Sequence, residues 1–64
     1  MTVEEAIKNG KCNYQIRQIY LYDINIGKEI GWFKNENEIA KDILQRTARN
    51  DWDREYGILK INVE

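Results

Sequence analysis

Residues 14–34, YQIRQIYLYDINIGKEIGWFK, hold more β-branched and aromatic side chains than any other part of the chain and read as one β-hairpin. Asn25-Ile26-Gly27, between Ile24 and Lys28, fits a three-residue loop. Such a loop is a type I turn closed by a residue at positive φ, which glycine adopts without a Cβ clash. That turn predicts the cross-strand pairs Ile24–Lys28, Tyr22–Ile30, Tyr20–Trp32 and Ile19–Phe33. Because strand side chains alternate, Ile19, Leu21, Gly31 and Phe33 share one face, and Ile16, Tyr20, Tyr22, Ile24, Ile30 and Trp32 share the other. Both faces are apolar, whereas a small antiparallel hairpin usually keeps one side wet. The second face needs a cover, and the flanking segments decide whether it has one.

Upstream, Thr2 and Glu5 have the spacing of a capping box, and Val3, Ala6 and Ile7 share one side of a short helix that should stop near Asn9-Gly10. Downstream, Asn35-Glu36-Asn37-Glu38 combines capping residues with acids suited to a helix start. Ile39, Ala40, Ile43, Leu44, Thr47 and Ala48 then recur at helical steps, predicting an amphipathic helix that reaches about Asn50. Its wet side carries Lys41, Asp42, Gln45, Arg46 and Arg49, the arginines lying where the helix dipole favours cations. Residues 50–55, NDWDRE, read as a polar connection around Trp52. Tyr56 to Val63 reads as a strand, with Leu59, Ile61 and Val63 on one face and Tyr56, Ile58 and Lys60 on the other.

The expected fold is a single α+β domain over residues 1–64, in the order α-β-β-α-β. Its last strand returns beside the first, giving a three-stranded antiparallel sheet in order 2-1-3. The long helix packs on one face, against Ile19, Leu21, Phe33, Leu59 and Ile61, with Gly31 allowing its backbone close. The opposite face gathers Tyr14, Ile16, Tyr20, Tyr22, Ile30, Trp32, Tyr56 and Ile58, fringed by Lys28, Lys34 and Lys60 and free of acids. A short N-terminal helix is too small to cover all of it.

Composition narrows the chemistry. Hydrophobic content of 42% and charged content of 33% belong to a soluble globular chain. No apolar run approaches the ~20 residues that cross a bilayer, and the N-terminus lacks a signal-peptide core. A cytoplasmic protein without a membrane partner is therefore expected. The single cysteine, Cys12, permits no internal disulfide, and the net charge of −1 gives no general attraction to polyanions. With no histidine, the usual general base is missing, Cys12 has no imidazole to activate it, and zinc sites built from Cys and His are excluded. Asp51-x-Asp53-x-Glu55 alternates carboxylates like a calcium loop. Tyr56 and Asn62 nevertheless stand where an EF-hand needs glycine and a bidentate glutamate. Neither catalysis nor a cofactor or metal site is expected.

What remains is binding. Tyr and Trp offer large contact area at low entropy cost and dominate protein–protein hot spots. The expected contact set is Tyr20, Tyr22, Ile30, Trp32, Lys34, Tyr56, Ile58 and Lys60, with Arg46, Arg49 and Trp52 as a second patch. Another protein is the favoured partner, self-association is one alternative, and single-stranded nucleic acid stacked on the rings is a second. Burial of the face beneath the first helix would remove the need for any of them. Small size and an Ile-, Asn- and Lys-rich composition suit phage and mobile-element products. An inhibitor of a host or defence protein, anti-restriction or anti-CRISPR in type, is the sharpest form of the expectation, by class analogy alone.

Overall fold

The structure is a computed structural model that describes residues 1–13, 16–49, 53–55 and 57–64, with side chains described outside 11–13 and 53–55. Helix α1 spans Val3–Asn13, followed by the hairpin of β1 (Gln18–Asp23) and β2 (Lys28–Phe33). A 3-10 turn at Glu36–Glu38 leads into the one-turn helix α2 (Lys41–Leu44), and the chain closes with β3 (Asp53–Glu55) and β4 (Ile58–Val63). The sheet order is β2-β1-β4-β3. The three long strands thus lie in the expected order, with the last beside the first.

Two expectations about this fold are corrected. The sheet is mixed, because β4 runs parallel to β1 while β2 and β3 run antiparallel to their neighbours. The reason is a strand not read from NDWDRE: β3 comes down the edge of β4, and Gly57, at φ 77, lies on the turn between them. The long helix is also absent, since α2 ends at Leu44 and Thr47 and Ala48 are extended, bridging to Thr2 and Val63. Backbone pairing explains this. The Ala48 N–H donates to the Met1 carbonyl, the Arg49 N–H to Asn62, and the Arg46 and Thr47 carbonyls accept from Val3 and Glu64. A one-turn helix carries little intrinsic stability, so these bonds to the rim of the sheet outweigh its continuation.

Helix α1 takes the place reserved for the missing helix. Its capping box forms as expected, the Thr2 N–H donating to Glu5 Oε1 at 3.0 Å and the Glu5 N–H to Thr2 Oγ1 at 3.2 Å. Val3, Ala6 and Ile7 are fully buried with Ile19, Leu21, Leu59, Ile61 and Val63, and Ile39, Leu44 and Ala48 complete the core. The helix does not stop at Gly10 but continues to Asn13. Gly10 instead serves packing: a Cβ there would lie 2.9 Å from Leu59 Cδ2, so the bare glycine lets helix and β4 approach. Gly31 does not serve that purpose. It sits at φ 156, and a Cβ there would lie 3.3 Å from the Phe33 ring, which occupies that space itself.

The hairpin register holds for Ile19–Phe33 and Tyr20–Trp32, then slips by one residue between Leu21 and Tyr22. Tyr22 pairs with Glu29 rather than Ile30, and Asp23 pairs with Lys28. Asp23 drives the slip by accepting the Asn25 N–H on its Oδ1 at 2.9 Å, which begins the turn at Asp23. The Ile24 N–H donates to the Val63 carbonyl at 3.0 Å instead of pairing across the hairpin. The loop is therefore residues 24–27, with Gly27 at φ 66 as expected, and the extra residue on β2 forms a β-bulge.

Gly10→Ala is expected to lower stability by about 1 kcal/mol, overpacking against Leu59 exceeding the gain in helix propensity. Urea unfolding measures it, and the loss should shrink in a Leu59→Val background, where the clash is relieved.

Candidate functional site

The core side of the sheet packs against residues of both helices. The other side is built from alternate residues of β1, β2 and β4. Its first row runs Trp32, Tyr20, Lys60 across the strands, and its second runs Glu29, Tyr22, Asn62. Ile58 stands beside Gln18 at the edge of this face. Tyr20, Tyr22, Ile58, Lys60 and Asn62 are each partly buried, while Trp32 is 49% exposed. The Trp32 and Tyr20 rings lie 4.7 Å apart between centroids, tilted at 50°. This is the contact distance of an aromatic pair, and it holds the indole in place while leaving half of it open.

The first helix does not cover this surface. Val3, Ala6 and Ile7 are spent on the opposite side, which removes burial beneath α1 as an account of the aromatic residues. Of the expected contact residues, Tyr20, Tyr22, Trp32, Ile58 and Lys60 are brought together. Lys34 is exposed just beyond the end of β2. Ile30 is turned away by the bulge and packs against the core, as does Ile16. Tyr14, Asp51, Trp52 and Tyr56 lie outside the described residues, as do the side chains of Cys12, Asp53 and Glu55.

The bulge also adds a group that the alternation pattern could not reveal. Glu29 takes the place assigned to Ile30, so the face carries a carboxylate where none was expected. Burial pushes the Tyr20 phenol above its ordinary value, and Glu29 pushes it further by its charge and by accepting the phenol hydrogen bond. The Asx turn at Asp23 was the available signal, since an aspartate two residues before Asn25 competes with the simple three-residue loop.

The second patch is differently employed. Arg46 and Arg49 do not lie on the wet side of a long helix but past the end of α2, at the rim of the sheet. Arg46 reaches Asp23 Oδ2 at 3.0 Å and donates through Nε to the Glu64 carbonyl at 3.0 Å. Arg49 pairs with Glu64 Oε1 at 3.3 Å. Asp23 is only 7% exposed. Burial alone would raise its carboxyl, but Arg46 and the N–H groups of Asn25 and Ile26 outweigh that and hold it below its ordinary value. These arginines join the hairpin to the end of β4, which is a structural task.

Elsewhere, Glu4, Glu36, Asn37, Ile39, Ala40, Lys41, Leu44 and Gln45 line an open groove of about 590 Å³. Among the described residues, no group of three or more His, Cys, Asp or Glu side chains is placed to hold a metal ion. No helix among them is long and apolar enough to cross a membrane. No protein family, curated protein or solved structure matches the chain.

Asp23→Ala should lower the melting temperature and Asp23→Asn should lower it less, because asparagine keeps an acceptor for the Asn25 N–H. Thermal melts of both variants measure this ordering. A carboxyl lowered in the folded state contributes stability in full above its ordinary value, here 3.8, and loses it as the pH falls through the folded-state value. Wild-type stability should therefore fall as the pH drops below 3.8, and Asp23→Asn should flatten that decline.

Proposed function

We infer that the chain is a non-enzymatic binding protein that docks another polypeptide through the Tyr20–Tyr22–Trp32 face. One observation carries the reading: a tryptophan held 4.7 Å from a tyrosine and 49% exposed on the side of the sheet away from the core. Rigid aromatic rings lose little entropy on contact, and tryptophan and tyrosine supply much of the binding energy where proteins meet. Lys60, Asn62 and Glu29 around them supply the polar surround such a contact uses.

Single-stranded nucleic acid is the weaker reading. Stacking on exposed rings would suit bases, but phosphates would meet the Glu29 carboxylate beside Tyr20, and the chain as a whole has a net charge of −1. An inhibitor of a host or defence protein remains the sharpest form of the favoured reading. Its Ile-, Asn- and Lys-rich composition supports it, and the exposed face gives it a surface to act through.

The test is affinity capture with the wild-type chain, Tyr20→Ala, Trp32→Ala and a Lys41→Ala control, all checked for folding by circular dichroism. A specific protein retained by wild type and control, and lost by at least tenfold with either aromatic variant, is expected. Equal retention by all four chains would defeat the reading. Oligonucleotide binding that weakens steeply with salt would replace it with the nucleic-acid alternative.

A further inference from the structure

The two rows of this face have an order that makes the surface its own complement. The first places an aromatic ring on β2, Tyr20 on the central strand and an amine on β4; the second places a carboxylate on β2, Tyr22 in the centre and an amide on β4. A two-fold axis parallel to β1, running over Tyr20 and Tyr22, lays β2 of one copy across β4 of the other. Trp32 then meets Lys60 of the second copy, and Lys60 meets its Trp32, which makes two cation–π contacts. Glu29 meets Asn62 in the same reciprocal way, a hydrogen bond from amide to carboxylate. The two tyrosines pack on their own counterparts. The opposite choice, an axis across the strands, sets Trp32 against Glu29 and Lys60 against Asn62 and gives up both cation–π contacts.

From this match the geometry points to a second copy of this chain, related by a two-fold axis along β1, as an occupant of the aromatic face. The inference rests on the protein-docking reading above and names a partner for the same surface; a different protein would compete with the second copy for it. A two-fold pairing of this kind joins the same patch on both copies and closes on itself, so association stops at the dimer. Three strands at ~4.8 Å spacing and six residues at ~3.4 Å per residue outline a patch of roughly 14 by 20 Å. That is well below the area stable complexes bury and belongs with weak, reversible contacts. The nearly balanced net charge of −1 adds little repulsion between copies.

Sedimentation equilibrium of the full chain at concentrations up to about 1 mM should show a monomer–dimer equilibrium and no larger species. Trp32→Ala and Lys60→Gln should each weaken it by about tenfold or more, Lys60→Gln keeping most of the stem and so guarding against loss of fold. The decisive arm is a mixture of the two variants. Between a Trp32→Ala chain and a Lys60→Gln chain, one Trp32–Lys60 contact survives intact, so the mixture should associate more tightly than either variant alone. No gain on mixing, or dimerisation indifferent to both variants, would overturn the two-fold arrangement. A chain that stays monomeric up to about 1 mM but still captures another protein through Trp32 would overturn the dimer and leave the docking reading standing. Loss of neither self-association nor capture in Trp32→Ala would overturn both.

Discussion

The fold turns on how residues 46–49 satisfy their backbone. This segment lies where the start of the chain, the end of β4 and the hairpin turn converge. Each of those places has N–H or C=O groups that would otherwise be left without partners. Drawn out of helix, the segment accepts from Val3 and Glu64, and it donates to Met1 and Asn62. Arg46 adds its side chain to Asp23, fixing the hairpin to the same corner. An unpaired buried backbone group costs about as much as a lost hydrogen bond, so several satisfied at once outweigh a few residues of helix propensity. The consequences spread outward. With no long helix to roof the sheet, α1 must do so, and its two apolar turns suffice for one face only.

The parts that could be read from the amino-acid sequence are those decided locally. Thr2 and Glu5 cap α1 because their partners are three residues apart. Gly27 takes positive φ because the turn demands it. The parity of β1 and β4 sorts core from surface correctly, with Ile19, Leu21, Leu59 and Ile61 inside and Tyr20, Tyr22 and Lys60 outside. What could not be read depends on contacts between distant segments. Thr47 and Ala48 keep helical spacing, yet their hydrogen bonds go to residues at both ends of the chain. Residues 53–55 form a strand because β4 offers them an edge, and nothing in Asp-Arg-Glu asks for one. The direction of β4 followed from that unseen strand.

The candidate site was legible in outline and wrong in one detail that matters. Alternation placed Tyr20, Tyr22 and Trp32 together without difficulty. It placed Ile30 with them as well, since a strict period of two has no provision for an extra residue. Asp23 takes the Asn25 N–H, the register slips, and Glu29 arrives where an isoleucine was expected. A surface expected to be greasy and cationic becomes one with a carboxylate beside an aromatic pair. That exchange weakens the case for phosphate-bearing ligands and gives the surface the mixed polarity that its own reversal can match.

The bulge has another effect, at the margin of the sheet. Strand β2 is an outermost strand, and a regular one would offer a ladder of open amides to any extended chain drifting past. The slip between Leu21 and Tyr22 kinks that ladder, and Lys28 and Glu29 sit exposed beside it. The opposite margin, β3, is three residues long. Neither border is a good template for fibre-like growth, so a sticky aromatic surface can be displayed on this small sheet without inviting polymerisation sideways.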